Sequence, residues 1–373
     1  MDFIRKQVVE KALYPKRALL VYGPRRIGKT TLVTKYLETL VDKRVKYDVG
    51  DDLRLRQLFN SEDRNAILDY ARPYDVLVID EAQNIARIGL AAKMIVDAFP
   101  EKTLILTGSS SFDLAQRTGE PLTGRHFTMT LLPIAQVELE LSAFERRQKL
   151  EDFLIFGSYP EVLLNDDRLF KIKILNELVS SYLFKDILAL DRLKSPDLLL
   201  DITKCLAFQL GNEVSFSEIA RTVHTDVKTV QRYVDLLEKT FIVKKVHAYS
   251  GNLRNEISKK TKFYFYDNGV RNAVISQFNG LNDRNDHVAL WENFVFMEKL
   301  RKNNLEEKSA QLYFWRTKEG AEVDIVEEFN GKLTAIECKW SKTFSKHLAA
   351  FKKLYPTAET AVITTENFAD FLL

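Results

Sequence analysis

Cysteine is nearly absent: Cys205 and Cys338 are the two among 373 residues. Two thiols so far apart exclude a disulfide framework or a cysteine-rich zinc site as the organising feature. The five histidines show no metal-ligand spacing either. No apolar run approaches the ~20 residues that a membrane-spanning helix needs, and the N-terminus lacks a secretory pattern. A cytoplasmic protein with no membrane partner is therefore expected. Repeats and low-complexity tracts are missing as well. An excess of one charge sign is also lacking, since 55 basic residues face 52 acidic ones for a net charge of +3. That balance neither favours nor excludes nucleic acid over the whole molecule. With 46% hydrophobic residues the chain can bury substantial cores, and its length suggests two or three domains.

What is present begins at Gly23-Pro24-Arg25-Arg26-Ile27-Gly28-Lys29-Thr30, which fits G-x-x-x-x-G-K-[ST], the phosphate-binding loop. The apolar run Ala18–Tyr22 precedes it as a buried strand, and Leu32, Val33, Tyr36, Leu37 and Leu40 follow at helical spacing. Glycines let the backbone curl so that successive N–H groups face phosphate oxygens, reinforced by the helix N-terminus. Lys29 then reaches the β- and γ-phosphates, and the Thr30 hydroxyl is a ligand for Mg²⁺. The nucleotide-binding segment is taken as Gly23, Pro24, Arg25, Arg26, Ile27, Gly28, Lys29, Thr30 and Thr31.

A second strand, Asp75-Val76-Leu77-Val78-Ile79-Asp80-Glu81, ends in the carboxylates of Asp80 and Glu81. Ligands of parallel sheets sit at the carboxyl ends of the strands. Asp80 suits the Mg²⁺ shell, and Glu81 is placed to orient or deprotonate an attacking water. A third strand, Thr103–Leu106, runs into Thr107-Gly108-Ser109-Ser110-Ser111, where Ser109 is a candidate to sense the γ-phosphate or the water. A serine-rich turn without ligand contact accounts for the same spacing. Arg125, in Leu122-Thr123-Gly124-Arg125, could stabilise transition-state charge, either in cis or from a neighbouring copy in a homo-oligomer.

Together, Gly23 to Thr31, Asp80-Glu81-Ala82-Gln83, Thr107-Gly108-Ser109-Ser110 and Leu122-Thr123-Gly124-Arg125 resemble the AAA-superfamily ATPases of bacteria and archaea. In those proteins the ATPase is fused to a C-terminal domain of poorly defined function. Phe156-Gly157-Ser158-Tyr159-Pro160-Glu161 and Glu322-Val323-Asp324-Ile325 extend the resemblance over nearly the whole chain. It implies an α/β P-loop NTPase parallel sheet with ATP and Mg²⁺ as its ligands.

The core of that sheet is expected over residues 1–133, followed by a helical lid or connector over 134–200. Residues 201–268 then read as a winged helix-turn-helix. A short helix runs through Val223 with Ser217 as its N-cap. A turn at His224-Thr225-Asp226 leads to a second helix, Val227 to Lys239, and two strands follow around Phe241–Val243 and Lys262–Tyr266. Between Asp226 and Lys262 nine basic residues (Lys228, Arg232, Lys239, Lys244, Lys245, Arg254, Lys259, Lys260, Lys262) face four acidic ones (Asp226, Asp235, Glu238, Glu256). That excess suits contact with DNA phosphates. A winged helix used for packing or oligomer contacts explains it equally well.

Residues 269–373 form the last expected domain, an α/β unit. Asn330-Gly331 is a strong hairpin signal and predicts a two-residue type I′ turn. Paired residues then have numbers adding to 661, so Asp324 faces Glu337 and Glu322 faces Lys339 on one side of the ribbon. Facing carboxylates repel, and a divalent Mg²⁺ or Mn²⁺ between them removes that cost. Asp324 with Glu337-x-Lys339 resembles the restriction-endonuclease-like superfamily. That resemblance implies acids Glu292, Asp324 and Glu337 around a second divalent cation, and Lys339 positioning water for phosphodiester attack. The sequence thus reads as an ATP-hydrolysing protein acting on DNA. Its rival is an ATP-driven conformational switch or protein-interaction module without nuclease activity.

Overall fold

The computed structural model describes residues 3–109, 122–183, 195–250, 261–341 and 344–372. The chain forms two compact units, Arg5–Leu132 and Met1–Ile4 with Pro133–Leu373. The connector, the helix-turn-helix and the C-terminal segment, expected as three domains, fall within the second unit. Among the described residues no helix is long and apolar enough to cross a membrane.

The first unit is built on five parallel strands, β1 (Ala18–Tyr22), β2 (Val45–Val49), β3 (Val76–Asp80), β4 (Thr103–Thr107) and β5 (His126–Thr130), in the order β2-β3-β4-β1-β5. Strands sandwiched between helices have no solvated face, and β3 is accordingly buried at every position. Leu20, Leu77, Ile79, Leu104 and Leu106 pack with α4 (Ile88–Ala98), which contributes Ala91, Ala92 and Ile95. The first helix, α1 (Lys29–Glu38), starts from Gly28 at φ 93°, a left-handed conformation that favours glycine. The short helices α2 (Leu53–Asn60) and α3 (Arg64–Ala71) start from Asp52 and Asp63, whose carboxylates accept first-turn N–H bonds.

In the second unit, α5 (Ala143–Gln148), α6 (Leu150–Phe156), α7 (Pro160–Leu163) and α8 (Arg168–Glu177) realise the expected helical stretch. After them come α9 (Pro196–Phe208), α10 (Phe216–Thr222) and α11 (Val227–Lys239), then the antiparallel pair β6 (Val243–His247) and β7 (Thr261–Phe265). The cap of α10 is Ser215, not Ser217, its hydroxyl accepting from Glu218 N at 3.3 Å. The capping hydroxyl must precede the first helical residue, and Phe216 is already helical here. Helix α12 (Asn268–Val274) and the long α13 (His287–Leu305) lead into a four-stranded sheet. Its strands are β8 (Gln311–Arg316), β9 (Glu322–Phe329), β10 (Lys332–Cys338) and β11 (Glu359–Ile363), in the order β11-β10-β9-β8. Helix α14 (Lys346–Leu354) makes the crossover that lets β11 run parallel to β10, and α15 (Phe368–Leu372) follows.

Gly157 in the Phe156–Glu161 motif has a packing reason. It sits at φ 73°, and a Cβ there would lie 2.0 Å from Asp267 Oδ1. Asp267 is buried and accepts hydrogen bonds from Ser158 N at 2.7 Å and Val270 N at 3.1 Å. Burial raises its pKa, with Arg301 opposing the shift. A raised native carboxyl pKa stabilises the fold fully only below the unfolded value, and the contribution is lost as pH rises through the native one. We expect Gly157→Ala to destabilise the second unit by about 1–3 kcal/mol in urea unfolding. We also expect stability to fall as pH rises above about 4, with Asp267→Asn flattening that part of the profile.

Candidate functional site

The phosphate-binding loop joins the carboxyl end of β1 to α1. Gly23 adopts φ 145°, and a Cβ on it would come within 2.1 Å of Leu131 O, so the loop passes against the end of β5 where a side chain does not fit. Arg5 donates to Ile27 O at 2.7 Å and to Leu132 O at 2.9 Å, bracing the loop from behind. Lys29 is buried, and its Nζ donates to Gly23 O and Pro24 O at 2.8 Å each. The first-turn N–H groups of a helix have no partners within the helix itself, which is the usual provision for an anion at such a loop.

Asp80 gathers the neighbouring hydroxyls. Its Oδ2 accepts from Thr30 Oγ1 at 2.9 Å and from Tyr47 OH at 2.6 Å, and its Oδ1 accepts from Thr107 Oγ1. Burial, and then Asp80 itself, push the Tyr47 phenol well above its ordinary pKa, so it stays a donor. Glu81 follows with a left-handed φ of 50°, and its N–H lies 3.2 Å from Asp80 Oδ1. The Glu81 carboxylate accepts from Gln83 Nε2, which also lies 3.4 Å from Ser109 Oγ. Ser109 is fully buried. The structure therefore brings Lys29, Thr30, Asp80, Glu81 and Ser109 to the same edge of the sheet. These residues fit a Mg²⁺-nucleotide: Thr30 and Asp80 would hold the ion, and Lys29 with the loop amides would hold the phosphates.

The sequence shows Thr107 and Gln83 only as members of their motifs and gives no role to Tyr47 or Arg5. Asp80-Glu81-Ala82-Gln83 placed Gln83 two residues from Glu81, which was the available signal. Tyr47 gave none, because only the parallel pairing of Val49 with Asp80 brings β2 beside the site.

Arg125 does not join this group within its own unit. It precedes β5, whose His126 pairs with Ala18, the first residue of β1, while the loop follows the last. Five residues at about 3.3 Å each place it roughly 16 Å from the loop. Its Nε donates instead to Asp97 Oδ1 at 2.6 Å.

In the second unit the hairpin has the expected register. Lys332 pairs with Phe329 and so on through Ile336 with Ile325, with Asn330 at φ 51° and Gly331 at φ 75° in the turn. Asp324 stays near enough to Glu337 for the two carboxylates to interact, but the expected pairing of Glu322 with Lys339 does not follow. Between Tyr313–Val326 and Trp315–Val323 the β8–β9 register shifts by one, so Asp324 and Ile325 together stand opposite Phe314. Such a bulge breaks the alternation of faces and re-aims the side chain it carries. Asp324 Oδ2 accepts Cys338 N at 2.7 Å, while Glu322 lies 2.5 Å from Lys262 and 3.5 Å from Arg316. Lys339 pairs with Glu337 at 2.6 Å, and His347 Nδ1 stands 3.5 Å from the same carboxylate. Burial opposes the Lys339 charge, but Glu337 and Asp324 outweigh it and raise its pKa.

Glu292 also meets a lysine, lying 3.1 Å from Lys262 and accepting from Tyr264 OH at 2.7 Å. Burial together with Glu292 and Glu337 raises the Asp324 pKa well above the carboxylate range, against the pull of Lys262. Among the described residues no three His, Cys, Asp or Glu side chains are grouped to hold a metal ion. Glu292, Asp324 and Glu337 thus do not fit a divalent cation as they stand, because ammonium groups engage Glu292 and Glu337. Lys262 was expected on a basic surface but is only 1% exposed.

On α11 the exposed residues are Val227, Lys228, Gln231, Arg232, Asp235 and Lys239. Lys244 is paired with Glu238 at 3.1 Å and Lys245 lies over the Phe216 ring. Arg254, Lys259 and Lys260 lie outside the described residues, as do Glu256, Ser110 and Ser111.

Residues 15–140 match an AAA domain. The AAA domain is an ATPase class that generally binds ATP with Mg²⁺, and the loop and Asp80 described above lie inside the matched segment. Residues 147–281 match a domain of unknown function (DUF8612), and residues 288–371 match another (DUF4143). An uncharacterized protein of Mycobacterium tuberculosis is 26% identical over 351 residues, covering 90% of this chain and 73% of that protein. One from Haemophilus influenzae is 25% identical, covering 76% and 74%. One from Methanocaldococcus jannaschii is 24% identical, covering 85% and 74%. Domain III of the Thermotoga maritima replication initiation protein DnaA aligns over 62% of this chain and 88% of its own, at 14% identity and a TM-score of 0.27. Drosophila ORC bound to DNA aligns over 72% and 91%, at 11% identity and a TM-score of 0.26. Scores this low carry no conclusion about this chain.

Within the AAA domain, Tyr47→Phe removes one of three hydroxyls on Asp80. We expect a loss of about 1–2 kcal/mol in stability, with weaker binding of Mg²⁺-nucleotide than of nucleotide alone, read by fluorescent-nucleotide titration.

Proposed function

We propose that this protein hydrolyses ATP at the carboxyl edge of the first sheet and engages DNA through its helix-turn-helix segment. The observation that carries the first part is the contact between Thr30 and Asp80 at 2.9 Å, beside the Lys29 loop. Lys29 binds phosphate, Thr30 and Asp80 hold Mg²⁺, and Glu81 takes up the proton of the attacking water. Gln83 holds Glu81 near Ser109, so a change at the γ-phosphate would reach Glu81 through two side chains. Arg125 can act on ATP only in another copy of the chain. We expect Lys29→Ala to abolish nucleotide binding, and Glu81→Gln to keep binding while turnover drops about 100-fold or more. Equal turnover in Glu81→Gln and wild type would refute the assignment.

DNA contact is supported by the exposed Lys228, Arg232 and Lys239 on α11, spaced so that they share one helical face. Arg232→Ala should weaken binding to duplex DNA and reduce the slope of log K against log salt by about one. An unchanged slope would move the helix-turn-helix to a packing role.

A nuclease-like role for the second sheet is a further reading, favoured by Lys339 beside Glu337 and by the bulge at Asp324. It requires Lys262 to leave the carboxylates. Cleavage of plasmid DNA in Mg²⁺ that disappears in Lys339→Ala supports it, and no cleavage in any state removes it.

A further inference from the structure

Lys262, only 1% exposed, is a buried charge of the second unit that the proposed reactions do not use. Strand β7 carries it, paired opposite Val246 of β6 and bridged to Glu213. Its ammonium meets Glu292 of α13 at 3.1 Å and Glu322 of β9 at 2.5 Å, and lies 5.4 Å from the centre of the Phe314 ring. Phe314 is the residue that faces the bulge at Asp324 and Ile325. Three segments far apart in sequence therefore converge on one amine.

An ammonium this buried costs several kcal/mol in desolvation unless carboxylates stand against it. Here two do so at ion-pair distance, with Asp324 as a third acid near enough to be felt. We propose that Lys262 is the resident cation of the Glu292, Glu322 and Asp324 cluster and excludes a divalent metal ion while β7 stays docked. The inference rests on the nuclease-like reading only for the identity of the excluded ion. Two cations cannot share these carboxylates without repelling each other in a desolvated site. Burial, Glu292 and Glu337 raise the Asp324 pKa even with the lysine present. Without the lysine, Glu292 and Glu322 would lose their counter-ion, and closing on a divalent cation of oxygen preference would restore one.

The test is calorimetric titration of MnCl₂ into the nucleotide-free full chain. Wild type and Asp324→Asn should give the same isotherm. Lys262→Met should gain a site at least tenfold tighter than any in wild type, with a Mn²⁺-dependent rise in melting temperature. Both should vanish in Lys262→Met/Asp324→Asn. A wild-type site that Asp324→Asn removes overturns the inference, and so does a folded Lys262→Met that gains none. Should Lys262→Met fail to fold, the comparison of wild type with Asp324→Asn decides alone, because it needs no lysine variant. The nuclease reading fails separately. Lys262→Met that binds Mn²⁺ yet leaves plasmid DNA intact upholds the resident lysine and removes the nuclease.

Discussion

The first unit depends on the carboxylate of Asp80. It accepts hydroxyl hydrogens from the helix after the loop, from the strand on one side and from the strand on the other, through Thr30, Tyr47 and Thr107. A buried carboxylate is costly unless each lone pair has a donor, so the three hydroxyls hold the sheet edge and the loop in one arrangement. Thr30 and Asp80 would hold a metal ion there by exchanging these hydroxyl contacts for the ion. The buried β3 run supplies the rigidity, and its terminal residue supplies the chemistry.

The second unit solves its electrostatic problem differently. Carboxylates from α13, β9 and β10 are drawn together by sheet packing and then compensated by lysines of the same chain, Lys262 and Lys339. The ordinary remedy for such a cluster is either a metal or an ammonium.

Much of the first unit was legible in the sequence because its signals are local. The apolar runs before Gly23 and before Asp80 are strands since nothing else buries such short segments, and the loop glycines announce their φ values directly. The Asn330-Gly331 hairpin was readable for the same reason. Pairings between distant strands were not. Tyr47 reaches Asp80 because β2 lies beside β3, and Lys262 reaches Glu292 because β7 packs on α13. The bulge at Asp324 escaped too, because alternation assumes that each residue faces one partner, and a two-against-one match leaves no mark in composition. Arg125 looked catalytic from its loop, yet the direction of β5 fixes the edge on which it emerges.

The hydrogen bonds of the second unit also impose an order of events on synthesis. Gln136 N donates to Glu298, 162 residues later, and Ser158 N to Asp267, 109 residues later. Residues just beyond the first unit therefore leave the ribosome long before their partners exist. At roughly 5–20 residues per second that interval is on the order of 5–30 s. The first unit closes on contacts made wholly within Arg5–Leu132 and can be complete in that time. The helices from Ala143 onward can pack on one another in that interval, but the face that α12 and α13 cover stays exposed until those helices are made.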